Sequence, residues 1–123
     1  MEIHKILLVD DEADIRTIAD LCLRELGGFA VVLAASGPEA LVLAAREAFD
    51  LVLLDVMMPG TDGPTTLASL RAAGVQTPVV FMTAKAGADE VARYHALGVA
   101  SVIAKPFDVL TLPAQIREIG AAL

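Results

Sequence analysis

Leu51-Val52-Leu53-Leu54-Asp55 is an unbroken apolar run that stops at an acid. A strand with one wet face alternates apolar and polar residues, whereas a continuous apolar run needs cover on both faces, as a parallel strand between two helical layers has. Four more runs share this character: Ile6 to Val9, Phe29 to Ala34, Val79 to Met82 and Val99 to Ala104. They recur every 20 to 25 residues or so, with helix-period segments between them. The pattern is βα repeated five times, and it predicts one α/β domain over residues 1–123 built on a five-stranded parallel sheet.

The intervening segments carry helix signals. Ile15, Ile18, Ala19, Cys22, Leu23 and Leu26 are spaced three and four apart and predict one apolar face on a helix that stops at Gly27-Gly28. Ser36 and Glu39 form a candidate capping box around Gly37-Pro38, with Ala40, Leu41, Ala44, Ala45 and Ala48 as the expected buried stripe. A third helix is expected from Asp62-Gly63-Pro64 to Gly74, and a fourth from about Ala88 to Leu97 with Gly98 as its stop. The fifth presents Leu112, Ile116 and Ile119 on one face, with Pro113 in its first turn, where a missing N–H costs nothing.

Composition narrows the function. The chain has 123 residues, enough for one core; 56% are hydrophobic, far from the composition of disorder. Apolar runs of about four to six residues fall well short of the roughly 20 that span a membrane. Met1-Glu2-Ile3-His4-Lys5 leads directly into the first run without the order of a secretory signal, so a cytoplasmic location and no membrane association are expected. The net charge is -7, the nine basic residues are scattered, and aromatic residues are few, so direct nucleic-acid binding is not expected. The lone Cys22 supports neither an internal disulfide nor a structural zinc site.

Ligands of an open parallel α/β sheet sit at the carboxyl ends of its strands. Here those ends carry Asp10-Asp11, Asp55, Thr83 and Lys105. Each has an ordinary role when taken alone. Asp10, Asp11, Glu12 and Asp14 can cap a helix and complement its dipole, Asp55 can enter a turn, Thr83 can open a loop, and Lys105 can lie along apolar surface. Together they would place three carboxylates in one pocket, which must protonate, separate or find cations. One divalent ion and the Lys105 ammonium balance that charge. Oxygen donors, with no His or Cys at a strand end, favour magnesium or manganese over zinc.

Four motifs follow their strands in order: Leu8-Val9-Asp10-Asp11-Glu12, then Leu53 through Gly63 (LLDVMMPGTDG), then Phe81-Met82-Thr83-Ala84, and Lys105-Pro106-Phe107. Across its whole length the chain resembles the receiver domains of two-component response regulators, including the single-domain chemotaxis type. The resemblance implies a flavodoxin-like, doubly wound sheet of strand order 2-1-3-4-5 with helices on both faces. It also implies roles, residue by residue. Asp55 is the phosphoacceptor. Asp11 is a direct Mg2+ ligand, Asp10 holds the ion mainly through water, and Asp55 and the backbone carbonyl of Met57 complete the protein's share, with Mn2+ as a substitute. Lys105 contacts the phosphoryl oxygens and the Thr83 hydroxyl binds them on arrival. A cis bond before Pro106 is implied as well.

The implied donor is the phosphohistidine of a sensor histidine kinase or a histidine phosphotransfer domain. The implied output is a change on the face formed by residues 85–97 and 101–123, read by a downstream protein, a fused effector domain or a second copy in a phosphorylation-dependent homodimer. The chain would act chemically only on its own aspartate and is not expected to be a turnover enzyme. Val102 departs from the family, which commonly has Tyr or Phe there; a β-branched side chain lacks the aromatic's inward rotamer change. Met57 and Lys85 occupy family positions that border the path of an attacking water. Among alternatives, a haloacid-dehalogenase-like phosphatase would need its Asp-x-Asp motif after the first strand, and an FMN carrier would need a phosphate-binding first turn in place of Asp10-Asp11-Glu12-Ala13. A receiver-shaped scaffold that is never phosphorylated is the remaining alternative.

Overall fold

A computed structural model describes residues 1–123. The chain alternates strands and helices: β1 (Lys5–Val9), α1 (Ala13–Leu21), β2 (Ala30–Ala34), α2 (Gly37–Arg46), β3 (Leu51–Asp55), α3 (Gly63–Ala72), β4 (Val79–Thr83), α4 (Ala88–Ala96), β5 (Ser101–Ala104) and α5 (Leu112–Ala121). All strand pairs are parallel, in the order β2-β1-β3-β4-β5. The sheet and its strand order are as expected, and every residue of β3 and β4 is buried.

Alternation along the strands divides the core between two faces. Ile6, Leu8, Leu51, Leu53, Val80 and Met82 meet Ala19, Leu23, Leu112 and Ile116 from α1, its extension and α5. Leu7, Val9, Val52, Leu54, Val79 and Phe81 meet Ala40, Leu67 and Leu70 from α2 and α3. No helix is long and apolar enough to cross a membrane.

Two helical expectations need correction. The first segment does not keep one apolar face: Ala19, Cys22 and Leu23 are buried, while Ile18, at 47%, is already exposed within the regular turns of α1. At Cys22 the helix passes into a π-helical turn, Cys22–Leu26, whose wider winding carries Leu26, at 56% exposure, off the buried stripe. In the second, α2 ends at Arg46, so Ala48 lies beyond it, and both Ala45 and Ala48 are exposed. The capping box is half realised. Ser36 Oγ accepts from the Glu39 N–H at 3.2 Å, but the Glu39 carboxylate accepts from Ala35 instead of Ser36.

The other boundaries follow their signals. Asp62 Oδ1 caps α3 by accepting from the Thr65 N–H at 2.8 Å, Gly74 and Gly98 take positive φ after α3 and α4, and Pro113 lies in the first turn of α5.

Candidate functional site

Register assembles the site at the carboxyl edge of the sheet. Val9 pairs with Leu54, so Asp10 and Asp55 stand one step further along neighbouring strands despite their distance in sequence. Thr83 pairs with Ala104 and its carbonyl accepts from the Lys105 N–H at 2.8 Å, which brings Lys105 to the same edge after a cis Lys105-Pro106 bond.

Carboxylate oxygens of Asp10, Asp11 and Asp55 lie within 4.8 Å of one another. Asp10 is fully buried and both its oxygens are engaged: Oδ1 accepts from the Glu12 N–H at 2.9 Å and Oδ2 from Lys105 Nζ at 2.7 Å. Asp55 is 3% exposed, and its Oδ1 is 3.3 Å from the same ammonium and accepts from the Met57 N–H at 3.4 Å. Asp11 is different. Its Oδ1 is shielded from solvent yet has no partner, a costly arrangement for an anionic oxygen unless a cation meets it. The helix-capping reading of the acidic run holds only in part, because Glu12 is the N-cap of α1 and makes no side-chain cap bond.

The electrostatics follow from burial and crowding. Desolvation, then the charge of Asp10, pushes the Asp55 carboxyl up to about 6 against the opposing pull of Lys105. Burial works against the Lys105 ammonium, but its hydrogen bond to Asp10 and the charges of Asp10 and Asp55 outweigh it and hold its pKa above the usual lysine value. One ammonium therefore leaves the three acids under-compensated. The donors present are all oxygen, and the cluster includes a residue with an unpartnered carboxylate oxygen, so the residues fit a hard divalent cation such as Mg2+ or Mn2+.

Thr83 is 1% exposed and its hydroxyl accepts from the Lys85 N–H at 3.0 Å. The Met57 side chain is 67% exposed, and Lys85 is exposed as well. Val102 is half-buried opposite Phe81 and packs on the face that carries Leu54 and Phe81.

Two contacts escaped the sequence reading. Arg16 donates from Nη1 to the carbonyl of Asp10 at 2.8 Å, bracing the loop that carries both first-strand acids. Its signal was available: it is the one basic residue between Asp10 and Leu21. Gly63 abuts the strand end, since a Cβ there would lie 2.8 Å from the Asp55 carbonyl oxygen and from Val56 Cα. No local pattern announces that approach.

Fold and site together define a class of α/β domain with an acidic triad and a lysine at the carboxyl edge of a 2-1-3-4-5 sheet. Residues 6–117 match the response regulator receiver domain family, and the chain belongs to it. It is 38% identical over 117 residues to the uncharacterized transcriptional regulatory protein YkoG of Bacillus subtilis, covering 95% of this chain and 51% of that protein. It is 40% identical over 116 residues to the transcriptional regulatory protein CpxR of Escherichia coli, covering 94% of this chain and 49% of that one. The chain thus spans about half the length of the curated relatives it matches. Among solved structures, the chemotaxis response regulator CheY4 of Vibrio cholerae superposes with a TM-score of 0.87 at 29% identity, covering 96% of this chain and 99% of that one.

Proposed function

We propose that this receiver domain, taken as residues 1–123, is a phosphorylation-operated switch with Asp55 as the phosphoacceptor. The observation that carries the reading is the buried Asp55 carboxylate, beside Lys105 and within reach of Asp10 and Asp11, at the carboxyl edge of the sheet. An Asp55 oxygen attacks phosphorus in line. The phosphorus–nitrogen bond of a donor phosphohistidine breaks, its electron pair stays on the imidazole nitrogen, and Asp55 becomes an acyl phosphate. Hydrolysis by water returns the carboxylate and inorganic phosphate. The domain acts on its own aspartate and is not a turnover enzyme.

Phosphoryl transfer is chiefly positioning and neutralisation of charge on the transferring oxygens. Lys105 supplies a fixed ammonium, and the Thr83 hydroxyl supplies a donor once those oxygens arrive. Asp11, Asp55 and the Met57 carbonyl would hold Mg2+ directly, and Asp10 would hold it through water. Bound there, the ion would offset carboxylate repulsion and neutralise developing phosphoryl charge. The partners are a sensor histidine kinase or a histidine phosphotransfer domain upstream. Downstream, the 85–97 and 101–123 face would engage a protein, a fused effector or a second copy of the domain. The transcriptional regulators named among the relatives support an effector reading. A cytoplasmic location suits these partners.

The test is intact-mass measurement after incubation with acetyl phosphate, with and without Mg2+, on the parent chain and Asp55→Asn. A gain of one phosphoryl group that requires Mg2+ and disappears in the variant is expected. No adduct under any condition would favour an unphosphorylated interaction scaffold.

A further inference from the structure

We propose that Arg16 is a positioning residue that sets Asp11 to receive a divalent cation; this deepens the metal reading of the acidic pocket and rests on it. Every polar atom of Asp10 has a partner. Its N–H donates to the Ala34 carbonyl at 3.1 Å, its carbonyl accepts from Arg16 Nη1 at 2.8 Å, and its carboxylate accepts from the Glu12 N–H and from Lys105 Nζ. Asp11 is the opposite case: it makes no hydrogen bond of its own, and its Oδ1 is shielded and unpartnered. Its direction is therefore set by its neighbours. Peptide units are planar, so the Asp10 carbonyl and the Asp11 N–H move as one plate, and the Asp11 carbonyl and the Glu12 N–H as another. Arg16 pins the first plate and Asp10 Oδ1 pins the second. With both plates held, the Cα–Cβ bond of Asp11 has one direction.

Arg16 takes this partner against local alternatives. Glu12, Asp14 and Asp20 lie two or four residues from it in sequence, and Asp20 pairs with Arg24, yet Arg16 joins no ion pair. Its backbone N–H donates to the Glu12 carbonyl at 3.1 Å in the first turn of α1, while its side chain folds back to the strand end. Lys105 occupies a carboxylate oxygen of Asp10; Arg16, by bonding a carbonyl, braces the acids without taking a donor from the metal. Groups that orient metal ligands in this way are worth about 10- to 100-fold in metal affinity.

Removing Arg16 has two effects of opposite sign. Loss of a positive charge near the acids would by itself tighten cation binding, whereas loss of the grip on Asp11 weakens it. Mg2+ binding to the full chain is measured by calorimetry, with urea melts in metal-free buffer alongside. Arg16→Gln should bind Mg2+ about tenfold more weakly, and Arg16→Lys, which keeps a donor on a long stem, should recover part of the loss. Arg24→Gln is the control, because Arg24 also donates to a backbone carbonyl, that of Val31, and touches none of the pocket acids. It should lose stability with Mg2+ affinity unchanged. Unchanged or tighter binding in Arg16→Gln overturns the positioning role, as does an equal affinity loss in Arg24→Gln. In Asp11→Asn, followed at raised Mg2+, adding Arg16→Gln should cost less than about twofold more; a fully additive loss overturns the role too. A parent chain that binds no Mg2+ overturns the metal reading, and the positioning role with it.

Discussion

Lys105 Nζ lies 2.7 Å from Asp10 Oδ2, a contact between residues 95 apart in sequence, and 3.3 Å from Asp55 Oδ1. The lysine is thus first the counter-ion of a fully buried aspartate, and only second a neighbour of Asp55. Replacing it with an apolar residue removes the one cation facing both buried acids, and orphaning buried charge is strongly destabilising. Lys105→Met should lose about 1–3 kcal/mol at pH 7 in metal-free buffer, less than a dry interior pair because the acids can take up a proton. The loss should shrink at pH 5 or on adding Mg2+. Urea melts under these three conditions check it, and an equal loss in all three would contradict the electrostatic account.

Asp55 should make the metal-free domain less stable as pH rises. Its folded pKa, about 6, lies above the ordinary carboxyl value of 3.8, so the folded state binds more protons between those two values. Stability then falls as pH rises across that window and is level above it. Asp55→Asn removes the penalty. At pH 8 the variant should be more stable than the parent by at most about 3 kcal/mol, the upper limit set by a shift of roughly two units, and the advantage should vanish near pH 4. Phosphoryl uptake should likewise rise through pH 6, with a midpoint lowered by Mg2+ because a cation favours the carboxylate. Parallel denaturation curves of the two proteins at pH 4, 6 and 8 would refute this if their separation stayed constant.

The readable parts of this protein were those written in local pattern. Leu51 to Asp55 announces a doubly covered strand because its code is period and length, and Asp62-Gly63-Pro64 announces α3 because capping is local chemistry. The acids and the lysine were legible as strand-end residues once parallel pairing placed those ends together. What escaped depends on three dimensions. Ile18 is exposed on α1 and Leu26 is carried outward by the π-helical turn at Cys22, although their spacing matches a buried face. The meeting of Tyr94 with Phe81 depends on where α4 crosses the sheet, which no spacing encodes.

Asp50 ties the start of β3 to the start of β1, accepting from the N–H groups of His4 at 2.8 Å and Lys5 at 2.9 Å. Those two backbone donors hold its carboxyl below the usual range. With a lowered folded pKa, its contribution is complete above the ordinary carboxyl value and is lost as pH falls through the folded one. Asp50→Ala should cost about 1–2 kcal/mol near neutral pH, the scale of partly exposed hydrogen bonds to a charged group. It should speed hydrogen exchange at Lys5, with Mg2+ binding unchanged because the residue lies at the opposite end of the sheet from Asp55. Weakened Mg2+ affinity at unchanged stability would show that Asp50 acts on the site.

Gly63 gives the most direct test of how α3 supports Asp55. A Cβ at this position would meet backbone, 2.8 Å from the Asp55 carbonyl oxygen and from Val56 Cα, and no flexible side chain is there to yield. Its own N–H donates to the Val56 carbonyl at 2.9 Å, so the first turn of α3 is bound to the residue after Asp55. Gly63→Ala must move either the helix start or the strand end. The steric cost should be about 1–3 kcal/mol, as for overpacking elsewhere in a close-packed interior. Helix propensity alone would favour Ala over Gly by roughly 1 kcal/mol, so the sign of the measured change separates the two effects. Asp62→Ala serves as the control: it removes the Asp62–Thr65 cap and should cost about 1 kcal/mol while leaving the Asp55 backbone in place. Gly63→Ala should therefore slow phosphoryl uptake from acetyl phosphate more than Asp62→Ala does at matched stability. Equal uptake in the two variants would mean that the Asp55 strand end tolerates the shift and α3 does not position Asp55.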